Sequence, residues 1–131
     1  MAEHPHAALV RRGYDAFSRG DMETLTELLA GDATQHLPGD SPMSGDYKGR
    51  DTILDLYRKL YEETDGTLRV EMQGAYVDGR GHVLTVHRMT AQRKGRTFEG
   101  TGGFVIRVVG GKVVDLDECV ESIERLDEFW A

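Results

Sequence analysis

The chain is poor in cysteine, in positive charge and in long apolar runs. Its single cysteine, Cys119, excludes an internal disulfide and fits a reducing cytoplasm, which is the expected location. Sixteen Lys and Arg against 23 Asp and Glu leave a net charge of -7. A nucleic-acid surface needs a basic patch, so that partner is not expected. No apolar run approaches the roughly 20 residues of a membrane span, and Met1-Ala-Glu-His-Pro-His has neither the basic region nor the apolar core of a signal peptide. No Cys/His cluster has zinc-ligand spacing and no Gly-rich loop has phosphate-binding spacing. No metal and no cofactor are therefore expected.

What remains is an ordinary globular composition, with 39% hydrophobic and 30% charged residues in 131. That suits one domain over residues 1–131 with one sizeable core. Val10, Tyr14 and Phe17 recur at i, i+4, i+7 and predict a helix over about residues 5–19. Gly20-Asp21 interrupts it, and Asp21 suits the cap of a second helix faced by Met22, Leu25, Leu28 and Leu29, with Gly31 as its stop. Residues 32–49 carry two prolines, several glycines, His36 and Asp40, and predict a long irregular loop. Ile53, Leu54, Tyr57, Leu60 and Tyr61 mark a third helix, ended by Asp65-Gly66.

From Leu68 the apolar period changes from 3.6 to 2. Turn sequences at Asp78-Gly-Arg-Gly81, Lys94-Gly95-Arg96 and Gly110-Gly111 separate long strands near 82–93, 97–109 and 112–122. Leu126, Phe129 and Trp130 are too apolar to float free and are expected to dock on the body, sealing one end or a dimer contact. The sum is an α+β plan: three N-terminal helices on a curved, mixed but mainly antiparallel sheet. Such a sheet closes into a cone-shaped barrel whose open mouth suits a small hydrophobic ligand, with the 32–49 loop at its rim.

The order of these elements resembles the nuclear transport factor 2-like superfamily, and within it the SnoaL-like, ketosteroid-isomerase-like proteins. The likeness is carried by Tyr14-x-x-Phe17-x-x-Gly20-Asp21, Asp32-Ala33, His36-Leu-Pro-Gly39, Ser41-Pro42, Gly45-Asp-Tyr-Lys-Gly49, Gly110-Gly-Lys-Val113 and Leu126-Asp-Glu-Phe-Trp130. These motifs span nearly the whole chain. The resemblance implies the fold but no single reaction, since isomerases, cyclases, epoxide hydrolases, dehydratases and non-catalytic modules share it.

Catalytic members of the superfamily place carboxylates, histidines and tyrosines inside the cone. The resemblance puts Glu118 near the acidic residue of SnoaL-like cyclases, on a strand face shared with Val114, Leu116 and Val120. His87 shares a face with Val83, Thr85, Met89 and Ala91 and titrates in the useful range. His36 or Asp40 falls near the proton-transfer aspartate of the isomerases, although a loop-structuring role serves His36 equally well and suits Asp40 better. His36, His87 and Glu118 are thus the candidate catalytic groups, with Tyr14, Phe17, Asp40, Tyr57, Phe104 and Leu116 as candidate ligand contacts. The chain departs from the steroid isomerases, which hold their dienolate with a tyrosine and a protonated aspartate. The corresponding strand here, Gly100-Thr-Gly-Gly-Phe104, has no acid. An Asp-Arg-Asp set like that of limonene epoxide hydrolases is not evident around Arg88. Arg69, Arg93, Lys94 and Arg107 are expected on solvated faces or turns. Val105, Val113 and Cys119 are expected on an outer sheet face through which the superfamily commonly forms homodimers.

Overall fold

The computed structural model describes residues 3–131, so residues 1 and 2 of the expected domain lie outside the described residues. Four helices and six strands follow the order α1 (Pro5–Arg19), α2 (Met22–Leu28), β1 (Leu29–Leu37), β2 (Gly45–Lys48), α3 (Arg50–Glu63), β3 (Arg69–Val77), β4 (His82–Arg93), β5 (Arg96–Val109), β6 (Lys112–Val120) and α4 (Ile123–Trp130). One mixed sheet runs β2-β1-β6-β5-β4-β3. Only β1 and β6 pair in parallel; the other neighbours are antiparallel.

The local chemistry explains the boundaries. Proline stands at the start of α1, where its missing N–H costs nothing, and Gly20 ends the helix at φ 65 in the left-handed region. The Asp21 carboxylate accepts the Thr24 N–H at 3.1 Å and opens α2. Ser122 does the same for α4 at Arg125 N, 3.2 Å. That last helix buries Leu126, Phe129 and Trp130 at i, i+3, i+4.

Several expectations change. Gly31 does not stop α2; the chain turns extended at Leu29 and enters β1 directly. The supposed long loop is also mostly sheet. Residues 29–37 and 45–48 form β1 and the edge strand β2, leaving 38–44 as the irregular part. The helix count becomes three before β3 and a fourth at the end, not three in all.

The inward face of the sheet is apolar and meets the helices. On β4 it carries Val83, Thr85, His87, Met89 and Ala91, all buried. On β6, Val113 and Leu116 both turn inward despite their odd spacing. A register shift between Arg107 and Val108 inserts an extra β6 residue there, which flips the alternation. Val113 therefore does not belong to the outer face. That face instead exposes Tyr76, Leu84 and Val105, which are cross-strand partners on β3, β4 and β5. The Cys119 thiol is free and exposed.

Arg93 is a further correction, because it is buried. Its guanidinium donates to Phe129 O at 3.3 Å, Ala131 O at 2.8 Å and Glu63 Oε1 at 3.0 Å, and stacks 5.9 Å from the Trp130 ring. It pins α4 against the sheet. Among the described residues no helix is long and apolar enough to cross a membrane.

Candidate functional site

Between helices and sheet lies a cavity of about 120 Å³, walled by side chains from α1–α4 and from every strand except β2. The wall is almost wholly apolar. Its polar groups are Tyr14, Gln35, Tyr57 and Glu118. Six of the nine predicted site residues contribute to it: Tyr14, Phe17, Tyr57, Phe104, Leu116 and Glu118.

Glu118 reaches the cavity because β6 alternates Leu116, Glu118, Val120 inward and Asp117, Cys119 outward. It sits opposite Phe104 on β5. The side chain is partly uncovered, yet what it faces is the cavity and not bulk solvent. Burial is the sole influence on its ionisation, and it pushes the carboxyl up to about 7. Among the described residues no hydrogen bond or cation offsets that cost.

Tyr57, on the inner stripe of α3, donates to Gln35 Oε1 at 2.5 Å. This bond fixes the orientation of the Gln35 amide and leaves its NH2 group as a donor at the cavity wall. Burial raises the Tyr57 hydroxyl well above its usual value, and the nearby Glu118 charge adds to the effect. Gln35 was not among the sequence candidates. The available signal was its period-2 relation to Ala33 and Leu37, but an amide and an alanine make a weak inward face.

His87 is buried but does not line the cavity; it lies behind Tyr14 and Phe104, whose rings it meets edge-on at centroid distances of 5.6 and 5.4 Å. Its Nδ1 is 2.7 Å from Tyr14 Oη, which is 2.7 Å from Thr85 Oγ1, and Phe104 N–H donates to Thr85 Oγ1 at 2.9 Å. Each hydroxyl has one proton. The arrangement that uses every proton in this chain runs one way: Phe104 N–H to Thr85, Thr85 to Tyr14, Tyr14 to a bare Nδ1. His87 is then neutral, and burial lowers it to about 4. It holds Tyr14 in place and does not carry protons at neutral pH. A glycine at 102 is needed for this. A Cβ there would stand 3.2 Å from His87 Nε2 and 2.6 Å from Cys119 O.

His36 and Asp40 do not join the site. His36 projects from the exposed face of β1, with Nδ1 2.6 Å from Asp46 Oδ1 on β2, because the inward positions of that strand fall to Gln35 and Leu37. Asp40 is exposed in the turn, its N–H held by the Asp127 carboxylate at 3.0 Å. His36, His87 and Glu118 therefore do not converge; Glu118 shares the cavity wall with Tyr14, Gln35 and Tyr57 instead. The 38–44 turn does not line the cavity, so it is not the rim. Arg88 lies on the outer face, paired with Glu99. Among the described residues no group of His, Cys, Asp and Glu has the arrangement of a metal site.

Comparison with known proteins agrees with this architecture. A model of the SnoaL-like domain matches residues 10–116. An uncharacterised protein of Mycobacterium tuberculosis is 30% identical over 131 residues, covering all of both chains. The structure of Bal32a, from a soil-derived mobile gene cassette, is 38% identical with a TM-score of 0.95 over 97% of each chain. IdmH of Streptomyces antibioticus, itself a proposed polyketide cyclase, is 26% identical with a TM-score of 0.75, over 95% of this chain and 96% of its own.

Proposed function

The chain belongs to the SnoaL-like domain family of the nuclear transport factor 2-like superfamily, and from that premise we propose that it is a cofactor-independent acid–base catalyst acting on a small hydrophobic cyclic carbonyl compound. One observation carries this reading: an unpaired carboxyl, raised to about 7, at the wall of an apolar cavity. A group with that value exists in both protonation states near neutral pH, which suits it to remove and return a proton. The ionised Glu118 takes a proton from the carbon beside the substrate carbonyl. The electron pair moves onto the carbonyl oxygen, which the Gln35 amide N–H steadies, and Tyr57 holds that amide in place. Glu118, now neutral, delivers the proton to another carbon for an isomerisation, or to an oxygen after ring closure. The likeness to IdmH favours the cyclising branch.

The test is solvent exchange. 2-Cyclohexenone in D2O, followed by NMR, should exchange its acidic C–H positions faster with the protein than without it, and Glu118→Gln should remove the acceleration. Equal acceleration by the Gln variant would show that Glu118 is not the base. The small cavity favours a second reading, a non-catalytic binding module. That reading predicts ligand binding with no exchange at all.

The expected homodimer fits the exposed Tyr76, Leu84 and Val105. Their rim carries Arg107 and Asp117, both exposed, so a second copy turned by a two-fold axis can match opposite charges around the apolar centre. Leu84→Asp should convert a dimer to a monomer in sedimentation; a wild type that sediments as a monomer rules the dimer out.

A further inference from the structure

The cavity is too small to be the whole site. About 120 Å³ has room for about one six-membered ring, since an engineered cavity of roughly 150 Å³ takes benzene. Ligand pockets usually span about 300–1,000 Å³. A second hollow of about 340 Å³ lies between α1 and the edge strand β3. Tyr14 and Val70 line both spaces. They form a partition with the apolar cavity on one side and a polar groove on the other. Together the two volumes reach the ordinary range.

The two sides of the partition are not equally anchored. β3 is the last strand of the sheet and carries a register shift between Met72 and Gly74. Across the groove, α1 packs along β3 through side chains, and the hydrogen bond that joins them is long, Ser18 Oγ to Val70 O at 3.5 Å. Val70 itself is only half-buried. Tyr14, by contrast, is anchored through Thr85 and His87. The side of the throat that can yield is therefore Val70 and β3, not Tyr14.

We infer that the ligand is an uncharged amphiphile that threads this throat, with a compact apolar ring beside Glu118 and a hydrogen-bonding extension in the α1–β3 groove. The charges in the groove favour an uncharged end. Its Arg11 is already held by Glu3 at 2.8 Å. Arg69 is tied to the Gly66 and Leu68 carbonyls, both at 2.8 Å. Asp15 and Glu71 line the same groove, so its two acids balance its two cations and there is no positive surplus to hold an anion. Ser18, the two acids and the free guanidinium edge can all bond hydroxyl, ether or amide groups. This inference rests on the ring-binding half of the proposed function, and not on its proton transfer.

Trp130, the sole tryptophan, lines the cavity, so its fluorescence reports a ring arriving there. The probes are 4-bromophenol, whose heavy atom quenches tryptophan, and the 4-bromophenyl ether of tri(ethylene glycol). Titrated at pH 6, the ether should bind about tenfold more tightly than the phenol. Ser18→Phe fills the exposed groove alone; it should erase that advantage and leave the phenol unchanged. Val70→Phe closes the throat and should slow quenching by both probes at least tenfold, with the melting temperature checked to show that it folds. Equal affinity for the two probes overturns the groove as a subsite. Unslowed quenching in Val70→Phe overturns the throat. Tighter binding of 4-(4-bromophenoxy)butyrate than of the ether overturns the uncharged class. No quenching by any probe overturns this inference and the ligand-binding premise together. Quenching without solvent exchange of 2-cyclohexenone leaves the inference standing and removes only the proton-transfer mechanism.

Discussion

Replacing Glu118 by Gln should make the protein more stable relative to wild type as the pH rises. Burial lifts this carboxyl from its ordinary 4.5 to about 7. The folded state therefore keeps the proton to a higher pH than the unfolded chain, and folding stability falls as the pH climbs from about 4.5 to 7. One pKa unit corresponds to about 1.4 kcal/mol. Between pH 5 and pH 8 the wild type should thus lose about 2.5 kcal/mol that a glutamine, which cannot ionise, does not lose. For a chain of this length that is on the order of 8 °C in melting temperature. The assay is thermal unfolding of both proteins at pH 5, 6, 7 and 8, with the difference between them as the readout, so that other titrations cancel. A carbon-13 titration of the carboxyl gives the pKa directly. A difference that stays flat across pH 5–8, with the carboxyl titrating near 4.5, would refute the picture of an unsolvated, unpartnered acid. The proposed catalysis would lose its physical basis with it.

Tyr14→Phe leaves Nδ1 of buried His87 and the Thr85 hydroxyl without their shared partner; it should cost about 1–3 kcal/mol in urea unfolding. Gly103→Ala places a Cβ 2.0 Å from the Thr85 carbonyl oxygen, which is backbone and cannot step aside. That change should part β4 from β5 and cost about 3 kcal/mol or more by the same measurement. Arg93→Met removes the clamp on α4. The emission of Trp130 should shift to the red, with stability falling by at least ~2 kcal/mol.

How much of this was legible depended on whether the inward side chains were apolar. β4 declared itself, because Val83, Met89 and Ala91 alternate around Thr85 and His87. Glu118 was singled out by the family resemblance, and the alternation of Leu116 and Val120 around it only gave its strand face. β1 did not declare itself. Its inward residues are Leu29, Ala33, Gln35 and Leu37, and a register shift between Leu29 and Thr34 breaks the alternation around Gly31-Asp32. Four residues of an edge strand, Gly45–Lys48, cannot establish a period at all. Missing β1 had a direct consequence for the site, since a loop leaves open where His36 points whereas a strand that turns Gln35 and Leu37 inward does not. Arg93 was misjudged because charge usually marks solvent; its burial depends on Glu63 and two carbonyls that are distant in sequence. The hydrogen-bond chain from Phe104 through Thr85 and Tyr14 to His87 joins residues up to 73 positions apart. No local pattern encodes it.

The two buried titrating groups also act on stability with opposite signs, and this bears on how the site should be probed. Burial lowers His87 from 6.5 to about 4. The unfolded chain then binds the proton first as the pH falls, so this term is lost from about pH 6.5 down to 4. Glu118 acts in reverse, its term being lost as the pH rises from about 4.5 to 7. Where the windows overlap, between about 4.5 and 6.5, one group adds about 1.4 kcal/mol per pH unit and the other removes as much. The contribution of the pair is nearly level there, and a pH–stability curve of the wild type would look as though neither group were buried. Single variants expose what the pair conceals. Glu118→Gln should leave a curve that rises with pH across the overlap, and His87→Gln one that falls. The double variant should be level again. If both single variants are as flat as the wild type, the two groups are solvated, and the dry cavity on which the acid–base reading depends does not exist in solution.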